Sequence, residues 1–310
     1  MKPSSFQAFL ESGHKERLRG NFSGAIAFYE KARTAAGSNE ERDEALAGKA
    51  LALRGLQQYP GAVRLLSRLV RNFEARNDIE GVSFIEYSLG TCFRFLGRFR
   101  DAERHLNRSL QLASDPESVC FVSMAVGGLL RMTGRYKESL ASYRHACHIA
   151  RRLGQTYPLA YAHCGIGNAY RMLDRRPLAR KHLENACHLY RRIRDRVSYP
   201  YTLWALALLD LSEKGIDKKH RLGHAERLFR KTKDRRGLVH IHLARAVEAR
   251  VQGRNPRPSI RHARRTARKL GLRFEILLAD FLEMDSPSEK LRKRFQHFGA
   301  DLPPDHLRIP

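Results

Sequence analysis

The chain has 310 residues, with 58 Lys and Arg against 32 Asp and Glu, a formal net charge of +26, and 42% hydrophobic residues. That apolar content excludes a largely disordered chain, and the length leaves two domains or one long repeat array. Five cysteines (Cys92, Cys120, Cys147, Cys164 and Cys187), odd in number and without a CxxC pair, give no disulfide framework and no zinc site.

In chain order, the N-terminal MKPSSFQAFLESG lacks the long apolar core of a signal peptide. A turn then recurs as GNFSGA (20–25), QQYPGA (57–62), GRFRDA (97–102), GRYKES (134–139) and DRRPLA (174–179). HRLGHA (220–225) and the looser GRNPRPSI (253–260) continue the series. From closing small residue to closing small residue the steps are 37, 40, 37, 40 and 46. Each turn is preceded by one amphipathic helix and followed by another, and no segment alternates like a strand. The most apolar stretches, FVSMAVGGLL and YTLWALALLDL, reach about half the length of a membrane span. The expected protein is cytoplasmic, with no membrane partner. From about residue 272, LRFEILLADFLEM reads as an apolar capping helix, followed by a short basic helix and a mobile Pro-containing tail.

YSLGTCFRFLGRFRDAERHLNRSL and CGIGNAYRMLDRRPLARKHLENAC resemble the tetratricopeptide repeat (TPR). Leu89-Gly90, Phe93, Gly97, Ala102 and Leu106 fit its pattern of Leu-Gly, aromatic, turn glycine, small residue and bulky residue, as do Ile166-Gly167, Tyr170, Ala179 and Leu183. Gln57 departs from it at the second turn, and the basic insert EKGIDKKHR loosens the sixth repeat. Gly90, Gly167, Ala102 and Ala179 are expected to let paired helices approach closely. The resemblance implies an all-α, right-handed superhelical solenoid of about seven hairpins over residues 1–270. Residues 271–310 supply the cap and tail, and the first helices line the concave face.

Three residues before each turn residue stand Arg17, Arg54, Arg94, Arg131, Arg171 and Arg250; only the sixth repeat, near Leu211 or Ser212, lacks the arginine. At about 100° per residue, Ile85, Leu89, Cys92, Phe93 and Leu96 share the core side of their helix, while Phe84, Tyr87, Thr91 and Arg94 lie on an opposite arc. Tyr161, Cys164, Asn168 and Arg171 repeat that arc, as do Phe121, Met124, Gly128 and Arg131, and His240, Leu243, Val247 and Arg250. A second ladder, thirteen residues before the turn, runs Phe84, Phe121, Tyr161 and His240, with Tyr201 as a further member. Arginines beside aromatic rings form the pattern that grips splayed, single-stranded nucleic acid. Basic clusters closing the second helices (151–154, 191–196, 230–236, 261–273) extend the phosphate-matching surface. The reading that follows is an RNA-binding protein, similar to the interferon-induced TPR proteins, holding a tRNA-like RNA in a concave groove. The alternative is a scaffold for an acidic peptide or partner helix. In both readings some ladder arginines could instead pair with acids such as Glu44 or Glu86. No P-loop, GxSxG or HExxH occurs, so neither a catalytic site, a cofactor nor a metal is expected.

Overall fold

The computed structural model describes residues 4–217 and 219–310; Lys218, inside the basic insert, lies outside the described residues. Among the described residues there are sixteen helices and no strand. They form seven hairpins: α1 (Ser5–Leu18) with α2 (Phe22–Ala35), α3 (Asn39–Gly55) with α4 (Tyr59–Ala75), α5 (Ile79–Phe95) with α6 (Phe99–Leu112), α7 (Pro116–Met132) with α8 (Tyr136–Arg152), α9 (Thr156–Met172) with α10 (Arg176–Arg192), α11 (Tyr199–Lys214) with α12 (Arg221–Lys231), and α13 (Arg235–Val251) with α14 (Arg257–Leu270). α15 (Arg273–Glu283) packs on the last hairpin, and α16 (Glu289–Phe298) follows.

The recurrent turn is a left-handed helix stop. Gly20, Gly97, Gly134 and Gly253 have φ between +65° and +95°, where glycine carries no Cβ penalty. At Gly97 the helix closes with Gly97 N donating to Arg94 O (3.2 Å) and Arg98 N to Phe93 O (2.9 Å). Gln57 and Asp174 hold the same conformation, at φ 62° and 57°, without being glycine. Gln57 recovers the cost by a long-range role described below.

From the second hairpin on, the core runs as one strip, from Ala47 and Leu66 through Leu89, Leu106 and Ile166 to Leu243 and Leu277, and the first hairpin packs around its own cluster of Phe6, Leu10 and Tyr29. The small residues act as the sequence indicates. A Cβ on Gly90 would stand 2.6 Å from Leu106 Cγ and 3.1 Å from Ala102 O; on Gly167 it would stand 2.7 Å from Leu183 Cγ and 3.1 Å from Ala179 O. Any side chain there would push the two helices of the hairpin apart.

The tail differs from its expectation. Ala300, Pro303, Ile309 and Pro310 are buried, and Leu302 and Leu307 pack on the core. The segment has proline to limit its unfolded freedom and enough apolar side chains to hold it against the solenoid, so it packs where the sequence pattern implies mobility.

Candidate functional site

Coiling brings the early repeats against the late ones. Gln57 Oε1 accepts from the backbone N–H groups of Arg235 (3.0 Å) and Arg236 (3.2 Å), free donors in the first turn of α13. The Arg236 guanidinium lies 4.6 Å over the Phe95 ring. A Cβ on Gly20 would sit 3.6 Å from Val197 in the α10–α11 loop. The concave face is therefore a chamber with one mouth rather than the open groove the helical arcs imply. It encloses a cavity of about 350 Å³. A wider mouth of about 1110 Å³, sharing Arg17, Arg54, Tyr87, Phe121 and Tyr157 with it, opens past Phe84, Ser118 and residues 193–198.

Most of the two ladders converge there. Arg17, Arg54, Arg94 and Arg131 line the chamber with Tyr87, Phe121, Tyr161, Asn168, Tyr201 and His240. Phe84 stands apart at the mouth, 40% exposed. The arginines reach across to the next repeat: Arg54 lies 5.7 Å over Tyr87, Arg94 fills the space that a side chain on Gly128 would need, and Arg171 lies 5.5 Å over Trp204. Arg94 and Arg171 are only 5% and 2% exposed, so they are not the solvated groove residues the opposite-arc geometry implies. Arg250 leaves the set: Leu243 and Val247 on its arc are core, and its guanidinium turns to the end of α15. There it donates to Leu282 O (2.8 Å) and Met284 O (3.3 Å) and pairs with Asp285 (2.7 Å). Tyr201 donates its hydroxyl to Asp234 (2.8 Å).

The charge balance of the chamber is lopsided. Among the described residues, Arg17 Nε, Arg54 Nη1, Arg94 Nε and Arg131 Nε of the lining are buried without a hydrogen-bond partner, as are Arg171 Nη1 and Arg250 Nε outside it. Glu86 does not serve them: it faces His105 (2.5 Å) and Arg108 (2.9 Å). Among the lining residues the acids are Asp234 and Glu275; Asp234 uses both oxygens, and Glu275 is engaged through Oε1, with Oε2 buried and unpartnered. Asp234 caps α13 through Gly237 N, and Glu275 pairs with Arg236 at 2.9 Å. Burial alone would raise the Glu275 carboxyl; Arg236, with His240 alongside, overrides it and holds it at about 2. His240 Nε2 lies 3.6 Å from Glu275, beyond a hydrogen bond, and burial and Arg236 push its imidazole pKa down. Arg171 shows the opposite situation. Burial, and then the Arg131 charge, push its guanidinium down to about 9. Its contacts are neutral oxygens, Asn168 Oδ1 (3.3 Å) and Ile309 O (2.8 Å). A lowered basic pKa means the charged form is the disfavoured one, and an anion beside it would relieve that.

The helical arcs miss several lining residues. Tyr143 and Tyr190 come from second helices, and Arg236 comes from the cluster 230–236 otherwise read as an outer surface. Glycines carry the missed signal. Gly127 and Gly165, inside first helices, leave the space that the Tyr143 ring fills.

No protein-family model matches the chain, and no curated protein matches it in sequence. Solved structures do match. The apo form of RapI is 13% identical, with 85% of this chain and 99% of that one covered and a TM-score of 0.65. The Rap conjugation gene regulator of plasmid pLS20, in complex with the Phr* peptide, is 16% identical, with 86% and 74% covered and a TM-score of 0.65. A Rap protein complexed with competence and sporulation factor is 14% identical, with 95% and 76% covered and a TM-score of 0.64. At these identities the likeness is one of fold. The repeated hairpins, their left-handed turns and these neighbours together make the chain a solenoid of the tetratricopeptide-repeat fold.

Proposed function

We propose that the protein is a peptide-binding scaffold whose concave chamber takes an acidic peptide, and that Arg54, Arg94 and Arg131 carry the recognition. One observation carries this reading: four guanidinium groups line one cavity with buried N–H groups unpartnered, while of the two lining carboxylates Asp234 caps α13 and Glu275 is paired with Arg236. Carboxylates would supply both the missing hydrogen bonds and the missing charge, and charge-assisted contacts are the strong ones. The tyrosines give an apolar wall with polar tips that suits the stem of a peptide side chain. Two of the neighbouring structures hold a peptide or a competence and sporulation factor, which agrees with this use of the fold.

The geometry favours a peptide over the RNA reading. Base stacking needs ring faces open to a strand, yet of the ladder rings His240 is buried, Tyr87, Phe121, Tyr161 and Tyr201 are half-buried, and Phe84 alone, at the mouth, is exposed; the inner cavity is about 350 Å³. The test is fluorescence anisotropy with a labelled decapeptide carrying four glutamates, its glutamine counterpart, and a labelled single-stranded RNA. The glutamate peptide binds, the glutamine peptide binds at least tenfold more weakly, and Arg94→Met with Arg131→Met abolishes the difference. Tight RNA binding lost with the same two arginines, and no preference for glutamate, would overturn the reading.

A further inference from the structure

The chamber is not closed by the solenoid alone. Residues 298–310 cross the turn ends of three successive first helices in order. Phe298 covers Gly97 at the end of α5, its ring 3.1 Å from where a Cβ would stand. Asp301 N donates to Thr133 O (3.1 Å) at the end of α7, and its side chain lies against Gly134. Arg308 Nη1 donates to Met172 O (3.5 Å) at the end of α9. Ile309 O accepts from Arg171 Nη2, and Pro310 lines the cavity itself. The segment has no helix beyond Phe298, turns once at residues 304–307, contains prolines and two aspartates, and includes the carboxylate whose field Arg171 feels, that of Asp305, which also pairs with Arg308 at 2.7 Å.

This packing is peptide-like in kind and light in attachment. The segment meets the repeats through its backbone and a few side chains, as a bound peptide does. It is joined to α15 by the exposed stretch Met284–Ser288 through α16, in which just Leu291 and Phe295 are buried. It also leaves Arg171 Nη1 unpartnered, so it serves the ladder incompletely. From these observations we infer that residues 300–310 are an internal ligand of the chamber, closing its floor, and that an incoming acidic peptide displaces them. The inference rests on the peptide-binding reading above, whose regulation it describes. A tethered segment acts at an effective concentration of about millimolar, so an outside ligand binds only if it engages the arginines better than the tail does.

The experiment uses the full chain, wild type and Ile309→Lys, which places a positive charge at a fully buried tail position beside the Arg171 guanidinium. Leu302→Asp is the second variant, at a partly buried tail residue packed on the core, so that the test survives if the first fails to fold. One probe is a fluorescein-labelled peptide of residues 300–310; the other is the glutamate decapeptide. Trypsin cleavage after Arg308, followed by mass spectrometry, reports whether the tail is seated. Trp204, the single tryptophan and the ring under Arg171, reports on the chamber by fluorescence. The expected result is cleavage at least tenfold faster in the variants, and labelled tail peptide bound at least tenfold tighter by them than by wild type. Adding the glutamate decapeptide to wild type should also accelerate cleavage and shift the Trp204 emission. Equal affinity of wild type and variants for the tail peptide, or equal cleavage rates, would overturn the inference. If the variants take up the tail peptide and no form binds the glutamate peptide, the internal ligand stands and the acidic-peptide reading falls. If the glutamate peptide binds wild type and variants alike, the reverse holds.

Discussion

Arg236 and Arg171 have both left water inside the same solenoid, with opposite arrangements around them. Arg236 has a carboxylate at 2.9 Å, an aromatic face and a raised pKa, despite the burial that works against it. Arg171 has an amide oxygen, a backbone carbonyl and a like-charged neighbour, and its pKa is pushed down to about 9. A buried charge with its partner is a structural element; removing either half leaves the other stranded. A buried charge without a partner lowers stability at every pH below its shifted pKa, and that cost is recovered when a ligand brings the counter-charge. The contrast separates arginines that hold the ring closed from arginines that wait for something to bind.

The sharpest way to test the contrast is to strand Arg236. Glu275→Ala should cost about 3–5 kcal/mol of stability, because it leaves a guanidinium buried and unpaired. Chemical denaturation measures it, and a cost below about 1 kcal/mol would mean the pair is not what closes the superhelix. The same pair has a pH signature. The Glu275 pKa is depressed in the folded state, so its contribution is fully present above the unfolded value of about 4.3 and is lost as pH falls toward 2.

The ladder arginines should behave in the opposite sense. Arg94→Met with Arg131→Met removes two unpaired charges and keeps most of the volume. Stability should be unchanged or higher by about 1 kcal/mol, while acidic-peptide affinity falls by more than tenfold, since each charge-assisted hydrogen bond to the peptide is worth about 1.5–3 kcal/mol. A drop in both stability and binding would make these arginines structural after all and erase the distinction from Arg236.

The repeats, their boundaries and the first-helix face were legible because each rests on local rules. A turn every 37 to 40 positions through the first five repeats, centred on Gly20, Gln57, Gly97, Gly134 and Asp174, and an apolar stripe at helical period repeat visibly in the chain. The chamber was less so. Its lining from first helices follows from the same period, but its closure depends on Gln57 meeting Arg235 and Arg236, 178 and 179 residues away. No local pattern encodes that meeting. The tail was hidden for a related reason: Ile309 looks like a stray apolar residue until the ends of α7 and α9 are placed beside it. Arg250 shares its repeat position with Arg171, and only the arrival of α15 separates their roles.

Histidine pairs between the helices of two hairpins allow a smaller test, away from the chamber. His163 and His182 meet Nδ1 to Nδ1 at 2.9 Å, and the His242 and His262 rings lie 4.0 Å apart. Burial, with the neighbouring histidine next, lowers His182 and His242 to about 4. A depressed histidine binds fewer protons folded than unfolded, so stability should fall as pH drops from about 6.5 toward 4, before the Glu275 effect begins. Thermal midpoints across that window measure the fall, and His182→Asn with His242→Asn should flatten it. A profile unchanged by both substitutions would place the acid sensitivity elsewhere.

Arg250 gives the smallest effect and the cleanest control on the whole contrast. It occupies the ladder position of the seventh repeat, so a reading by repeat position alone gives it the same binding role as Arg94. The structure instead commits two of its nitrogens to the carbonyls of Leu282 and Met284 and to Asp285, at the end of α15. Asp285 is 96% exposed, so that ion pair adds little; the carbonyl hydrogen bonds at the helix end carry the value. Arg250→Met should therefore lower stability by about 0.5–1.5 kcal/mol, the worth of ordinary hydrogen bonds, with acidic-peptide affinity unchanged within twofold. The salt dependence of peptide binding should be unchanged too, since the charge does not face the chamber. If Arg250→Met weakened binding as much as Arg94→Met, repeat position rather than local partners would decide which arginines serve the ligand.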